Sequence, residues 1–541
     1  MREIFRNIFQ LGRFLFARYP GQVGVRPAAF SVISKLDQQT SKADDSELVV
    51  FQSVPDKFYF LLFGALRESL YTFIGGRAEV IVVRSISGAI GTGWLATIKR
   101  STIVTAIFSK PWRRAYGKAI DGIAYRSVTL AHPLQDLRDW FVSQAHWEAL
   151  RLQHEHFMLE IGGVEVGDLI VDAYLRFRPS PRFDVNDQFV RVLIWQSMRD
   201  VRQASQYFSN KRPKIYLTSY STYLEHGVAT RVALKYGISV WCFGNLTRVG
   251  KRLTQTDPYH TADCSHYRTT FEALDRQSDR LEQARAQLQL RLSGGIDVAT
   301  SYMRQSAYAG SAAVVPEGLK GGVVIFLHDF YDSPHIYADL VFDDFWEWIC
   351  FTVETLSKNG ASFFLKPHPN QIALSNAALS DLRSKYPLLN WLPAGVTNVQ
   401  LAEAGIACGV TVYGTVAHEL AFLGVPSLCS ARHPHHTFDF CRTARTREQY
   451  KTFLDKPCDM PLPVEEMKRQ ALAFYYMHNL YGSAEELEFR EIYVNFWRKC
   501  NMESAGEHEI LQGFDRLRNN AGFARLTKKM MQIEAVDAEP T

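Results

Sequence analysis

Apolar residues in this chain come in short unbroken runs, separated by longer stretches where they recur every three or four positions. The runs at 47–54 and 78–83 read as buried strands. The stretch 57–74 between them reads as a helix that ends at Gly75-Gly76, a glycine C-cap. A strand–helix–strand rhythm predicts a parallel sheet. The rhythm returns as a strand over 214–218, a helix over 227–236 closed by Gly237, and a strand over 238–243. Residues 137–203 are mostly helical in pattern. A charged helix over 269–292 stops before Gly294-Gly295, and its charges are most simply a solvated face. Residues 310–322 are small and glycine-rich, the best linker in the chain. A second series follows, with strands at 323–328, 362–366 and 426–430 and helices at 345–358, 377–385 and 416–423. Beyond Pro463 the pattern is helical to about residue 529, and the last residues read as a frayed tail.

A length of 541 residues is too much for one domain of ordinary size. The expected division is an amphipathic extension over 1–46, a Rossmann-like domain over 47–309, a second over 322–462, and a helical extension with its tail over 463–541. The expected fold class is therefore α/β, with two parallel sheets facing across a cleft. A net charge of +5 is small for this length and gives no footprint for nucleic acid. The eight cysteines form no CxxC pair, which fits a reducing cytosol better than a disulfide framework. The apolar stretch 58–74 carries Arg67 and Glu68 near its centre and reads as a buried helix, not a membrane span. The first residues show no free apolar core of a cleavable signal. Their Arg2, Arg6, Arg13 and Arg18 accompany Ile4, Phe5, Ile8, Phe9 and Leu11 at helical spacing. Such a helix either lies on an anionic membrane surface or docks on protein.

Two segments carry the chemistry. Phe363-Phe364-Leu365-Lys366-Pro367-His368-Pro369-Asn370 is an apolar run that stops at Pro-His-Pro. Each proline fixes φ and removes a donor, so His368 is held at a strand end, outside helix or central strand. There the imidazole can donate to a phosphate, with Lys366 adding charge or merely solvating the edge, and Asn370 bonding loop or nucleotide. Val412-Tyr413-Gly414-Thr415-Val416-Ala417-His418-Glu419 is a glycine turn opening a helix. Gly414 and Thr415 offer backbone N–H groups to an anion, though threonine is also a common N-cap. Glu419 could accept from ribose hydroxyls or pair with an arginine. Ligands of open α/β sheets sit outside the carboxyl ends of strands, which is where both segments fall.

Lys366-Pro367-His368-Pro369, Gly414-Thr415 with His418-Glu419, and the run from Leu327 and His328 through Asp329, Asp332, Ser333 and His335 resemble bacterial glycosyltransferases of capsule and surface-polysaccharide biosynthesis. These are GT-B proteins, among them enzymes that transfer Kdo from CMP-Kdo. The resemblance is most specific over 321–450 and looser over 214–247. It implies transfer of a sugar from CMP-Kdo or another nucleotide-activated donor to a polysaccharide or glycolipid acceptor. It implies no cofactor beyond that donor, a cytoplasmic location, and peripheral contact with the inner membrane. His328, Ser333, Lys366, His368, Asn370, Gly414, Thr415, His418 and Glu419 would then surround the donor. Related sialyltransferases also carry an acidic motif ending in glycine, for which Glu225-His226-Gly227 is the nearest segment here. Glu225 is accordingly the candidate base, with Arg231 as its ion-pair partner in the structural alternative, and Asp329 and Asp332 are the other candidates. His433, His435 and His436 have no matched carboxylate or cysteine pattern, so no metal is expected. They read as a loop near the donor or a solvated loop. Two rival functions stand beside the first: a CDP-polyol phosphotransferase of teichoic-acid type, and a catalytically silent GT-B-like assembly subunit.

Overall fold

The structure, a computed structural model, describes residues 47–52, 57–74, 76–82, 122–126, 132–153, 155–178, 180–304, 306, 308, 313–368, 375–459, 462–503 and 505–532. The basic N-terminal segment and Asn370 lie outside the described residues.

The chain divides into two units. The first holds strands β1 (Leu48–Gln52), β2 (Arg77–Val82), β3 (Gly122–Arg126), β4 (Ile215–Thr218), β5 (Ser239–Cys242) and β6 (Lys251–Leu253). Their order across the sheet is β3-β2-β1-β4-β5-β6. All neighbours pair parallel except β5 with β6. Helix α1 (Lys57–Ile74) connects β1 to β2 and covers the sheet with Phe58, Leu61, Leu62 and Leu66. Three more helices, α2 (Pro133–Leu150), α3 (Gly167–Phe177) and α4 (Gln188–Lys211), precede β4, and α5 (Tyr223–Lys235) follows it. The helical reading of 137–203 was thus right in kind. It missed the hairpin of Glu160–Ile161 with Val164–Glu165 that separates α2 from α3.

The second unit repeats the plan. It has β7 (Val323–Phe326), β8 (Phe363–Lys366), β9 (Asn390–Trp391), β10 (Cys408–Val410), β11 (Ser427–Cys429) and β12 (Cys441–Thr443), in the order β9-β8-β7-β10-β11-β12 and all parallel. Alternate residues of β7 serve opposite faces. Val323 and Ile325 enter one core with Trp348 and Tyr450, while Val324 and Phe326 enter another with Leu392 and Leu420. Burial on both faces is why such strands read as continuous apolar runs. Both sheets have the doubly wound strand order, with a reversal between the first strand and the fourth. Two Rossmann-like units in one chain make the α/β architecture expected of a GT-B protein.

The boundaries differ from those expected at three places. Residues 261–309, expected in the first domain, belong to the second unit. The reason is packing: helix α6 (Gln277–Leu292) buries Ala284 and Leu288 against Met467, Ala471 and Phe474. The glycine-rich stretch before β7 separates nothing, because Ala313 and Val315 lie against the second core. Beyond Pro463 the chain is no extension at all. Residues up to Gly482 complete the second unit, and those from Ser483 onward return to the first. Helices Ala484–Asn501, Glu507–Arg518 and Ala521–Gln532 place Phe489, Tyr493, Phe496, Phe514 and Phe523 in the core beside α1. The Phe58 and Tyr493 rings meet edge-to-face at 5.1 Å. The expected charged helix also breaks in two, as Tyr267–Glu272 and α6, at Arg276 with φ of +47°.

Candidate functional site

The reversal point of the second sheet lies between β7 and β10, and the chain leaves both strands with polar residues. His328 follows β7, His368 follows β8, and Thr411 to Thr415 follow β10. His328 Nε2 lies 3.2 Å from Thr411 Oγ1. The same hydroxyl accepts the Gly414 N–H at 3.2 Å. The His328 ring stacks on Phe345 at 5.1 Å and 18° and also meets Tyr413 at 4.9 Å. Burial and, less strongly, the neighbouring His368 bring His328 down to about 3, so this imidazole is neutral at physiological pH. Gly414 allows the close approach. A Cβ there would sit 2.8 Å from Thr411 Oγ1 and 3.6 Å from His328 Nε2.

His368 is exposed at the end of β8. Burial of its inner side and then the charge of Lys366 hold it below the usual imidazole value. Lys366 itself turns inward. It is buried, donates to the Ala394 carbonyl at 3.2 Å, and burial lowers its amine to about 8. It therefore does not solvate the strand edge. Thr415 is exposed and caps nothing with its side chain. The helix it precedes, Val416–Phe422, has seven residues, so the anion seat expected here loses most of its dipole, and Gly414 N–H is already spent on Thr411.

Ser333 donates its N–H to Asp332 at 2.9 Å, and its carbonyl accepts from Tyr413 Oη–H at 3.1 Å. It is a buried fastening between the two strand-end loops. Asp329 Oδ1 accepts from Tyr331 N at 3.1 Å and Ser375 Oγ at 2.7 Å. Asp332 is exposed and His335 buried. Two expected donor contacts face the interior. His418 is buried against Phe474 and Tyr475, with neither ring nitrogen hydrogen-bonded. Glu419 Oε1 pairs with Arg291 at 2.8 Å, while Oε2 accepts from Asn398 Nδ2 at 2.6 Å and from Tyr308. Both of its oxygens are occupied, so of its two readings the arginine pair is the one observed. His433 and His435 are buried too, against the reading of a solvated loop.

The first unit carries a similar cluster at its own reversal point, which sequence reasoning missed apart from Glu225 and His226. Gln52 ends β1 fully buried. Its Oε1 accepts from Thr218 at 2.8 Å and lies 2.9 Å from His226 Nδ1, and its Nε2 donates to the Glu225 carbonyl at 2.9 Å. Ser221 Oγ accepts the His260 N–H at 2.8 Å. Burial lowers His226 to about 4 and, aided by Lys251, His260 to about 3. Tyr223, at the start of α5, has φ of +58°, a left-handed geometry that non-glycine residues keep mainly where surrounding structure enforces it. Glu225 is half-buried. Arg231 is not its partner, because that guanidinium forks onto Asp168, with Nη1 2.6 Å from Oδ1. The one sequence signal for this cluster was Gln52, a polar residue inside an apolar run.

No protein-family model matches the chain, and no curated protein matches it. Solved structures do. The beta Kdo 2,4 transferase KpsC of Thermosulfurimonas dismutans is 13% identical with a TM-score of 0.27, over 48% of this chain and 79% of that one. UDP-GlcNAc 2-epimerase of Methanocaldococcus jannaschii, in complex with UDP-GlcNAc and UDP, is 9% identical with a TM-score of 0.24, over 78% and 97%. The calicheamicin glycosyltransferase CalG4 is 9% identical with a TM-score of 0.25, over 84% and 99%. At such scores the fold rests on the strand order of the chain's own two sheets. Among the described residues no helix is long and apolar enough to cross a membrane.

Proposed function

We propose that the chain is a glycosyltransferase that takes its sugar from CMP-Kdo or another nucleotide-activated donor and passes it to a capsular or surface polysaccharide or a glycolipid. The observation that supports this reading most is the reversal point of the second sheet, where His328, Thr411, Gly414 and His368 stand at adjacent strand ends. Ligands of doubly wound sheets bind at such a point. In this reading His368, the exposed imidazole, donates to the donor phosphate. Neutral His328 and Thr411 orient the nucleotide against a rigid aromatic floor of Phe345 and Tyr413. The leaving nucleotide gains negative charge as the sugar departs, and donors fixed in place before the reaction stabilise that charge. The proton of the acceptor hydroxyl goes to a carboxylate, with Glu225, Asp329 and Asp332 as the candidates. Membrane contact through residues 1–46 belongs to the same proposal.

The test is calorimetry of CMP, UDP and CDP, and of their sugar conjugates, on the wild type and on His368→Ala. A charge-assisted hydrogen bond is worth about 1.5–3 kcal/mol, so one nucleotide should bind and its affinity should fall about tenfold to a hundredfold in the variant. Binding unchanged by the substitution would remove His368 from the phosphate. A wild type that binds none of them would remove the donor site altogether.

A further inference from the structure

The loop between β11 and β12 has a use that nucleotide-sugar transfer does not call on. Cys429 ends β11 and Cys441 begins β12. The strands are parallel neighbours with Ser427 opposite Cys441. Side chains alternate along a strand, so Ser427, Cys429 and Cys441 share one face of the sheet. The loop folds back over that face through turns closed by His436 N–H to His433 O and Phe438 N–H to His435 O, both at 2.9 Å. This brings His435, midway between the cysteines in sequence, onto both thiols. The Cys429 and Cys441 sulfurs are 3.3 Å apart, and His435 Nε2 is 3.8 Å from Cys429 Sγ. The three ligand atoms lie within 4.8 Å of one another, and all three residues are buried. No disulfide joins the cysteines.

A buried cysteine is ordinarily a small hydrophobe. Two of them turned onto one imidazole are a different object. His435 Nδ1 is buried with no hydrogen-bond partner, and its Nε2 has a weak contact with thiol sulfur. A zinc on Nε2 replaces that weak sulfur contact with a ligand bond and leaves the ring proton on Nδ1. We propose that Cys429, His435 and Cys441 form a binding site for a zinc ion. Two thiolates and a neutral imidazole are a borderline-soft donor set suited to zinc. Two sulfurs at about 2.3 Å from one zinc and at the tetrahedral angle stand about 3.8 Å apart. The thiols therefore open by about half an ångström on loading, within reach of small χ1 rotations. Loading releases the two thiol protons to solvent. Cys441 also lines a cavity of about 240 Å³ with Arg432, His436 and Arg442. The fourth position on the ion falls to water. Once bound, the ion ties β11, β12 and their loop together. The sequence alone carries no sign of this group because the cysteines stand six residues to either side of His435. That spacing matches no common zinc pattern, and only strand pairing closes it.

The experiment uses the full chain, expressed with zinc and purified under reductant without chelator. Elemental analysis should find about one zinc per chain. Replacement with Co²⁺ should give the strong visible bands of tetrahedral cobalt together with a thiolate-to-cobalt charge-transfer band. Both should vanish in Cys429→Ser, Cys441→Ser and His435→Gln and persist in Cys458→Ser, whose cysteine is exposed. If the ligand variants fail to fold, alkylation of the wild type followed by peptide mass spectrometry decides. Zinc should slow the labelling of Cys429 and Cys441 at least tenfold relative to the metal-free chain, with Cys458 unchanged. The proposal is overturned by a wild type without zinc that shows no cobalt charge-transfer band. Metal content unaffected in ligand variants that fold, equal labelling with and without zinc, or isolation of a Cys429–Cys441 disulfide as the resident state overturns it as well. None of these readouts depends on the transfer reaction.

Discussion

Replacing Glu419 by Gln separates the two uses a carboxylate at that position can have. The side chain of Glu419 is 3% exposed and that of Arg291 14%. Asn398 and Tyr308 fill the second oxygen. Gln keeps an oxygen for those two neighbours and removes the charge facing Arg291. Breaking one side of a buried ion pair costs about 3–5 kcal/mol, because the remaining charge stays desolvated. Arg291 retains some contact with water, so the lower end, about 3 kcal/mol, is the expected loss. Urea unfolding of the full chain measures it, and native-state hydrogen exchange at the amides of Leu420 and Ala421 assigns it to the second unit. Arg291→Met removes the stranded charge. The double variant should therefore lose less than the sum of the singles, with a coupling of about 2 kcal/mol. Nucleotide affinity should stay within about twofold of wild type in Glu419→Gln at temperatures where it is folded. A stability loss below about 1 kcal/mol together with a tenfold fall in nucleotide affinity would refute the reasoning. It would hand the Glu419 oxygens back to a ribose.

Glu225→Gln should lower turnover more than about tenfold with donor affinity nearly unchanged. If it transfers sugar at the wild-type rate while Asp329→Asn or Asp332→Asn does not, the base lies on the loop after β7. Acid should destabilise the chain well above the carboxylate range. His226, His260 and His328 are held down at about 4, 3 and 3, so they favour the folded state fully above the ordinary imidazole value and progressively less as pH falls toward those values. Between about pH 6.5 and 5 each costs up to about 2 kcal/mol. Melting temperatures that stay flat over that interval would contradict the burial of these rings. Deleting the residues before Pro20 should move the protein from membrane to soluble fractions, each well-placed basic residue contributing about 1 kcal/mol on an anionic surface. An unchanged partition would favour a helix docked on protein.

Most helices and inner strands were legible because their apolar period is long or their runs unbroken, while the three-residue inner strand Cys408–Val410 was not. The expected spans 57–74 and 345–358 coincide with Lys57–Ile74 and Phe345–Lys358. Edge strands were not. Lys251–Leu253, Asn390–Trp391 and Cys441–Thr443 have two or three residues each, too few for any period to show. The Pro-His-Pro end of β8 was readable because proline punctuates locally. Thr411 and the Cys429–His435–Cys441 group were not, since each acquires its meaning only from a neighbour on another strand. His418 and Glu419 mislead for a related reason. A short helix buried on most of its circumference gives no polar face by which to tell a ligand contact from an interior network.

The last three helices have a consequence for how the molecule is made. A chain leaves the ribosome from its N-terminus, and domains generally fold as they emerge. Here the unit that begins first finishes last. The aromatic side chains of α1 wait for Phe489, Tyr493, Phe496 and Phe514, which are synthesised only after Thr261–Gly482 is complete. During that interval the apolar surface around Phe58 and Leu62 lies open, the condition under which nascent chains recruit chaperones or aggregate. A premature stop near residue 483 would therefore spare the later-made unit and ruin the earlier one. The two units also cannot be separated by a single cut, since the first draws on residues both before Thr261 and after Gly482.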